Sequence, residues 1–179
     1  MIVLLAGWRL LLVIPLTALL RVLSDATFPF VPFISPPTYS VNAAGDWLFR
    51  IPAGGSAVEF TAPLDTIQNF TFALPIYWAV ALALPPAKRD AGAILRPLLI
   101  GTAIVLLGQQ MSLLTFVETS AGTAVAQLHP GADPVAQWLR QLSTYLAVFV
   151  APFLIPFVAV GIAPGYPLLR SCYDPRPRF

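Results

Sequence analysis

Four stretches of this chain are almost unbroken runs of apolar residues, and most of its polar positions fall between them. Residues 2–23, 70–87, 94–117 and 143–164 each approach the roughly 20 residues that a helix rising 1.5 Å per residue needs to cross a hydrocarbon core. The pattern predicts four transmembrane helices. Only Arg9 and Arg21 interrupt the first run, near its two ends, where long stems can carry their charges to the headgroups. That run starts with apolar residues, and Arg21 stands where a signal peptide would place small residues before its cut. It therefore reads as a retained helix.

The connections have patterns of their own. Residues 24–69 form the longest one, opening with Phe28-Pro29-Phe30-Val31-Pro32-Phe33. Prolines at alternate positions exclude a helix interior or a central strand and predict an extended, interface-lying run. Further on, Trp47-Leu48-Phe49-Arg50-Ile51 and Ala57-Val58-Glu59-Phe60-Thr61 are β-prone and separated by Pro52-Ala53-Gly54-Gly55-Ser56. A glycine-containing connection of that length predicts a hairpin, with Arg50 able to pair with Glu59 across it. An isolated hairpin is marginal in water, so it must lean on the membrane, on the spans or on a partner, with Trp47 a candidate contact. Residues 118–142 read as a second loop: small and weakly polar from 119 to 126, then the turn signal His129-Pro130-Gly131. Asp133-Pro134 resembles a helix N-cap followed by proline, and Val135, Trp138, Leu139 and Leu142 recur at helical spacing. This predicts an interfacial turn or two leading into the last span.

Charge then orients the layout. The short loop at 88–93 and Arg96 beyond it supply Lys88, Arg89 and Arg96, and the tail at 165–179 supplies Arg170, Arg176 and Arg178. With four spans both segments fall on one face, which the positive-inside rule makes cytoplasmic. Both termini are then cytoplasmic, the segments 24–69 and 118–142 extracytoplasmic, and the expected location a bacterial inner membrane. Composition agrees: 58% of residues are hydrophobic and 10% charged, against about 25% charged in an ordinary soluble domain. The fold class expected is an all-α integral membrane domain, residues 1–179, with a small β-hairpin-like segment between the first two helices. A net charge of +2 without a basic stripe gives no footprint for nucleic acid.

Candidate chemistry is sparse. Cys172 is the single cysteine and His129 the single histidine, on opposite sides of the expected membrane, so neither a metal site nor a Cys/His pair is predicted. No serine carries a nucleophile motif, no Walker or HExxH sequence occurs, and no carboxylate falls within a predicted span. No enzyme, cofactor or metal is expected. Polar groups at membrane depth are the functional candidates that remain. Gln109 and Gln110 lie about two-thirds of the way along the third run, with Glu118 at its end. Buried amides of this kind join helices or recognise a partner. Pro152 and Pro156, four apart on one face, predict a bend in the last span.

One resemblance adds to this reading. The stretch Ala62-Pro63-Leu64-Asp65-Thr66-Ile67-Gln68-Asn69-Phe70 runs into the aromatic-rich Leu74-Pro75-Ile76-Tyr77, and a later span ends in Gln109-Gln110 with Glu118 beyond. From about residue 46 to 169 this layout resembles the exosortase H-associated membrane proteins, small multi-pass proteins of the bacterial inner membrane. It departs from the expected pattern in lacking a proline after the acidic or amide position at 65. The resemblance implies a non-catalytic accessory role in protein sorting, beside an exosortase. Combined with the residue reading, it yields an accessory protein that contacts the lipid bilayer and binds another membrane protein. Arg50, Glu59, Trp47, Gln109, Gln110 and Glu118 are the candidate contacts. The alternatives are a structural subunit of a respiratory or photosynthetic membrane complex, and a small transporter or channel component lined by the bent last helix.

Overall fold

The computed structural model describes residues 7, 11–30, 38–53, 56–84, 91–128 and 133–163. Its elements are α1 (Val13–Thr27), β1 (Thr38–Val41), β2 (Trp47–Ala53), β3 (Ser56–Ala62), α2 (Leu64–Thr71), α3 (Ala73–Ala83), α4 (Ala91–Leu128), α5 (Pro134–Tyr145) and α6 (Ala151–Ile162). Three helical stretches, Val13–Phe30, Ile94–Ala126 and Pro134–Ile162, are long and apolar enough to cross a membrane.

The first of these runs past its expected end at 23. α1 continues to Thr27 and tightens into a 3-10 turn over Phe28–Phe30. Pro29 supplies no N–H for the Asp25 carbonyl and so ends the α-helix, while Phe28 is drawn inward to the core and the chain completes one 3-10 turn. Residues 31–37, the rest of that run, lie outside the described residues, as do His129 and the tail.

The second predicted span is broken. α2 and α3 are separated at Phe72, and Pro75 supplies the reason: it has no N–H for the Thr71 carbonyl, and its ring crowds that carbonyl. The Phe72 N–H turns instead to the Asn69 carbonyl, 3.2 Å away and three residues back. α3 has 11 residues, about 16 Å of helix and half of a hydrocarbon core. It is wedged between α4 and α6, with Ala73, Leu74, Tyr77 and Ala81 buried.

The expected loop at 118–142 is mostly helix. α4 extends to Leu128, because Thr119, Ala121, Gly122 and Thr123 offer a small-residue surface on which α5 packs. The Asp133 side chain accepts the Val135 N–H at 3.0 Å, capping α5 as its sequence predicts. As expected, the helix that starts at Pro134 runs into the last span, passing through the π-helical segment Leu146–Val150 into α6. Pro152 and Pro156 are both buried on α6, and the π segment ends just before Pro152. The widened turn, in which the Ala151 N–H bonds the Leu146 carbonyl, is how the helix accommodates a residue that cannot donate.

The fold is mostly helical, with one small sheet among the described residues. The hairpin is there, with Trp47 facing Ala62 and Ile51 facing Val58, and β1 adds a third antiparallel strand, in the order β1-β2-β3. Tyr39, Val41, Trp47, Phe49, Ile51, Val58, Phe60 and Ala62 share one face, while Leu48, Arg50, Glu59 and Thr61 share the other. Such alternation marks a sheet with one covered and one open face. The covered face joins Leu20 and Phe28 of the first helical stretch, Ile67 and Phe70 of α2, and Leu113, Phe116 and Val117 of α4 in one core cluster. A second cluster, further along the bundle, holds Ala73, Leu74, Tyr77, Ala81, Val105, Ala159 and Val160.

Candidate functional site

Between the two apolar clusters α4 carries Gln109, Gln110 and Ser112, all buried. The Gln110 amide donates to Thr27 Oγ1 at 2.7 Å and to Ser24 Oγ at 3.3 Å, joining α4 to the end of α1. Both hydroxyls are free to accept because each donates to a carbonyl one turn back in its own helix. Gln110 Oε1 and Gln109 Nε2 are buried without a hydrogen-bond partner. Phe72 stacks edge-on against Phe153 at 5.3 Å, which sets the α2–α3 break beside α6. Ile155 of α6 in turn lies against Gly108 of α4, so the break, the helix after the π segment and the two glutamines share one level of the bundle. Each interruption occurs where proline removes a backbone donor.

α5 shows a second departure. Arg140 and Thr144 face inward, while Gln141 is exposed: Arg140 donates to the Gly122 carbonyl at 3.0 Å, and the Thr144 and Thr119 hydroxyls share a hydrogen bond of 2.8 Å. Its apolar stripe faces outward, with Val135 63%, Trp138 59% and Leu139 50% exposed, and no residue of α5 is buried. This is the reverse of a helix on a water-solvated globule.

Beside α5 lies an open slot of about 520 Å³. Phe116, Ser120, Thr123 and Ala124 form one wall and Gln141, Thr144, Tyr145 and Phe149 another, with Phe60, Thr61, Pro63 and Thr66 closing the sheet side.

The residues expected to act together are thus divided. Trp47 is buried in the sheet-side core and stacks on Tyr39 at 4.8 Å. Arg50 and Glu59 form an ion pair of 3.3 Å on the open face of the sheet. Gln109 and Gln110 are buried within the chain, and Glu118 is exposed on α4. Two carboxylates lie on membrane-length helices after all, Asp25 and Glu118, each near the sheet-side end. Asp25 accepts a hydrogen bond from the Tyr39 hydroxyl, which also reaches the Arg21 carbonyl. Burial, then that hydrogen bond and the Asp25 charge, push the Tyr39 hydroxyl well above the usual tyrosine range. Among the described residues no group of three or more His, Cys, Asp or Glu comes together to hold a metal.

Sequence reasoning missed the slot, although Phe116, Ser120 and Thr123 follow one another at helical spacing. Placing residues 118–128 in a loop removed the periodicity that would have shown it. Asp46 was also missed. Its carboxylate accepts the Leu64 N–H at 3.0 Å and so caps α2, a job that Pro63 cannot do with its own side chain.

The chain matches no protein-family model, no curated protein and no solved structure to which it was compared. What its geometry defines is a class: a helical protein of membrane-spanning character carrying a small three-stranded sheet at one end. The likeness to exosortase-associated proteins rests on its sequence motifs alone.

Proposed function

We propose that this chain is a non-catalytic integral-membrane accessory protein that binds another membrane protein through the outward stripe of α5. In this reading the α2–α3 pair is a fourth, broken crossing, and the sheet lies on the extracytoplasmic side of a bacterial inner membrane with both termini cytoplasmic. An exosortase is the partner that the sequence motifs point to.

The observation that carries the reading is the outward apolar stripe of α5 on a helix longer than the hydrocarbon core. Pro134–Ile162 spans 29 residues, about 43 Å, against a core of about 30 Å. Enclosing all of it would take a tilt of about 45°, beyond the roughly 0–40° found for membrane helices. The first turns, with Val135 and Trp138, therefore extend past the hydrocarbon while still presenting apolar side chains outward. A tryptophan at the headgroups is ordinary. The stripe continues one turn beyond it to Val135, outside the hydrocarbon, where a protein surface would cover it, and buried aromatic anchors dominate such contacts.

Photo-crosslinking from positions 138 and 139 in native membranes tests this. A discrete adduct with one membrane protein is expected, and Trp138→Ala should deplete that protein from material purified in mild detergent. Adducts to lipid only, together with recovery of the chain alone at native expression, would refute the reading.

A further inference from the structure

The slot beside α5 has a polarity gradient. On α4 the lining passes from Phe116 through Ser120 to Thr123, and on the α5 side from Phe149 through Tyr145 to Gln141. The two helices are antiparallel neighbours, so both gradients run the same way: aromatic toward the bundle, hydroxyl and amide toward the α4–α5 connection. Tyr145 and Phe149 are largely exposed and their rings lie 5.3 Å apart, so the slot opens sideways at its apolar end. In a membrane-spanning chain that side is lipid. Its volume lies within the roughly 300–1,000 Å³ of small-molecule sites, room for a headgroup and the start of a chain.

The polar end has a definite hydrogen-bonding character. Thr123 Oγ1 donates to the Thr119 carbonyl at 2.8 Å, and Thr144 Oγ1 to the Arg140 carbonyl at 3.0 Å. Thr144 also shares a hydrogen bond with Thr119, whereas the Thr123 proton is committed to its own helix, which leaves the Thr123 hydroxyl a lone pair for a donor in the slot. Among the described residues no charged side chain lines it. The Gln141 amide can accept or donate, so a group without net charge that donates to Thr123 is matched there. An added peptide strand fits less well: β3 contributes only Phe60 and Thr61 to the lining, too short a stretch for strand pairing.

We infer that the slot is a binding site for a membrane lipid of the leaflet on the sheet side, selecting a net-neutral headgroup that donates hydrogen bonds. A primary-amine headgroup such as ethanolamine meets this; its trimethylated choline counterpart has no N–H. The inference needs the membrane setting but not the protein partner, and its test is separate from that of the α5 stripe.

The full-length protein is placed in nanodiscs containing, one at a time, phosphatidylethanolamine, its mono- and dimethylated forms, and phosphatidylcholine, all with the same chains. Retained lipid is then counted by native mass spectrometry. Retention should fall stepwise along the series, by about two- to tenfold for each donor that engages the protein, the range of a neutral hydrogen bond. Thr123→Val and Gln141→Leu, each confirmed as folded by thermal unfolding in detergent, should flatten the series; a decline caused by methyl bulk alone would persist in both. Equal retention of all four lipids, or an unchanged slope in both variants, overturns the inference. So does a crosslinker at position 124, on the α4 wall of the slot, that captures a polypeptide instead of lipid. If one variant fails to fold, the other still separates loss of donors from methyl bulk.

Discussion

The core at the sheet and the core deeper in the bundle are filled by different kinds of residue. Against the sheet the packing is aromatic: Phe49 stacks on Phe60 at 5.0 Å, Phe60 meets Phe116 edge-on at 6.3 Å, and Phe70 lies 5.8 Å from Phe116. Deeper in the bundle the helices meet through Ala73, Ala81 and Ala159, and through glycines. A Cβ at Gly101 would fall 1.8 Å from the Tyr77 hydroxyl, which donates to the Pro97 carbonyl at 2.7 Å. At Gly108 it would fall 2.9 Å from Ile155. The contrast follows the surroundings. Where water is the alternative, burying large rings is itself favourable. Where lipid is the alternative, moving an apolar side chain inward gains little, and close approach through small residues supplies the stability.

The largest expected effects test this contrast directly. Phe49→Ala removes a fully buried ring from the sheet-side core and should cost about 3–5 kcal/mol, measured by denaturant or thermal unfolding in detergent. Gly101→Ala adds one methyl group where there is no room and should cost about 1–3 kcal/mol, the usual range for overpacking. Tyr77→Leu in the Gly101→Ala background should recover part of that loss, because the tyrosine ring is what the new Cβ strikes. If Gly101→Ala is silent, close packing does not govern the deeper core and the contrast fails.

The two adjacent glutamines provide a sharper and smaller test at the boundary between the cores. Gln110→Leu gives up hydrogen bonds to Ser24 and Thr27, each worth about 0.6–1.7 kcal/mol between membrane helices, but it also removes the orphaned Oε1. A net loss of about 1 kcal/mol is expected. Gln109→Leu removes a buried donor without a partner and should be neutral or stabilising, since an unmet buried group costs about 1–3 kcal/mol. Equal destabilisation by both substitutions would show that Gln109 has a partner within the folded protein.

Much of this could be read from residue order, and the failures share a cause. Apolar run length revealed the membrane-length helices, and β-prone runs around a glycine-rich connection revealed the β2–β3 hairpin with Arg50 opposite Glu59. β1 is four residues long and follows a proline-rich stretch, so no pattern of its own announced it; its place depends on pairing with β2. The boundaries failed wherever small polar residues were taken as solvent-facing. Thr119, Gly122 and Thr123 look like a loop in sequence, yet they form the surface on which Arg140 and Thr144 pack. Pro75 could be seen to disrupt its helix, but not whether the chain would bend or break there. The slot was invisible because it needs α4, α5 and the end of β3 together.

Tyr39 tests how firmly the sheet is tied to the end of α1. Its raised folded-state value means that the folded protein keeps a proton which the unfolded chain loses near pH 10.0. The stabilisation is fully present below that pH and is lost as pH climbs through the raised value. Wild-type stability should therefore fall more steeply above pH 10 than that of Tyr39→Phe, while the two show the same pH dependence between pH 6 and 9. Parallel profiles above pH 10 would show that the Tyr39–Asp25 hydrogen bond does not hold the sheet to the helix.

The smallest effect is expected on the open face of the sheet. Arg50 and Glu59 pair at 3.3 Å, but their side chains are 65% and 52% exposed, so water and salt screen them. A double-mutant cycle with Arg50→Ala and Glu59→Ala should give a coupling of about 0.2–1 kcal/mol that shrinks as salt rises. A coupling several times larger, and unaffected by salt, would mean that this face is covered in the assembled protein. The sheet would then be a second docking surface alongside the α5 stripe, and a partner would have to lie across both.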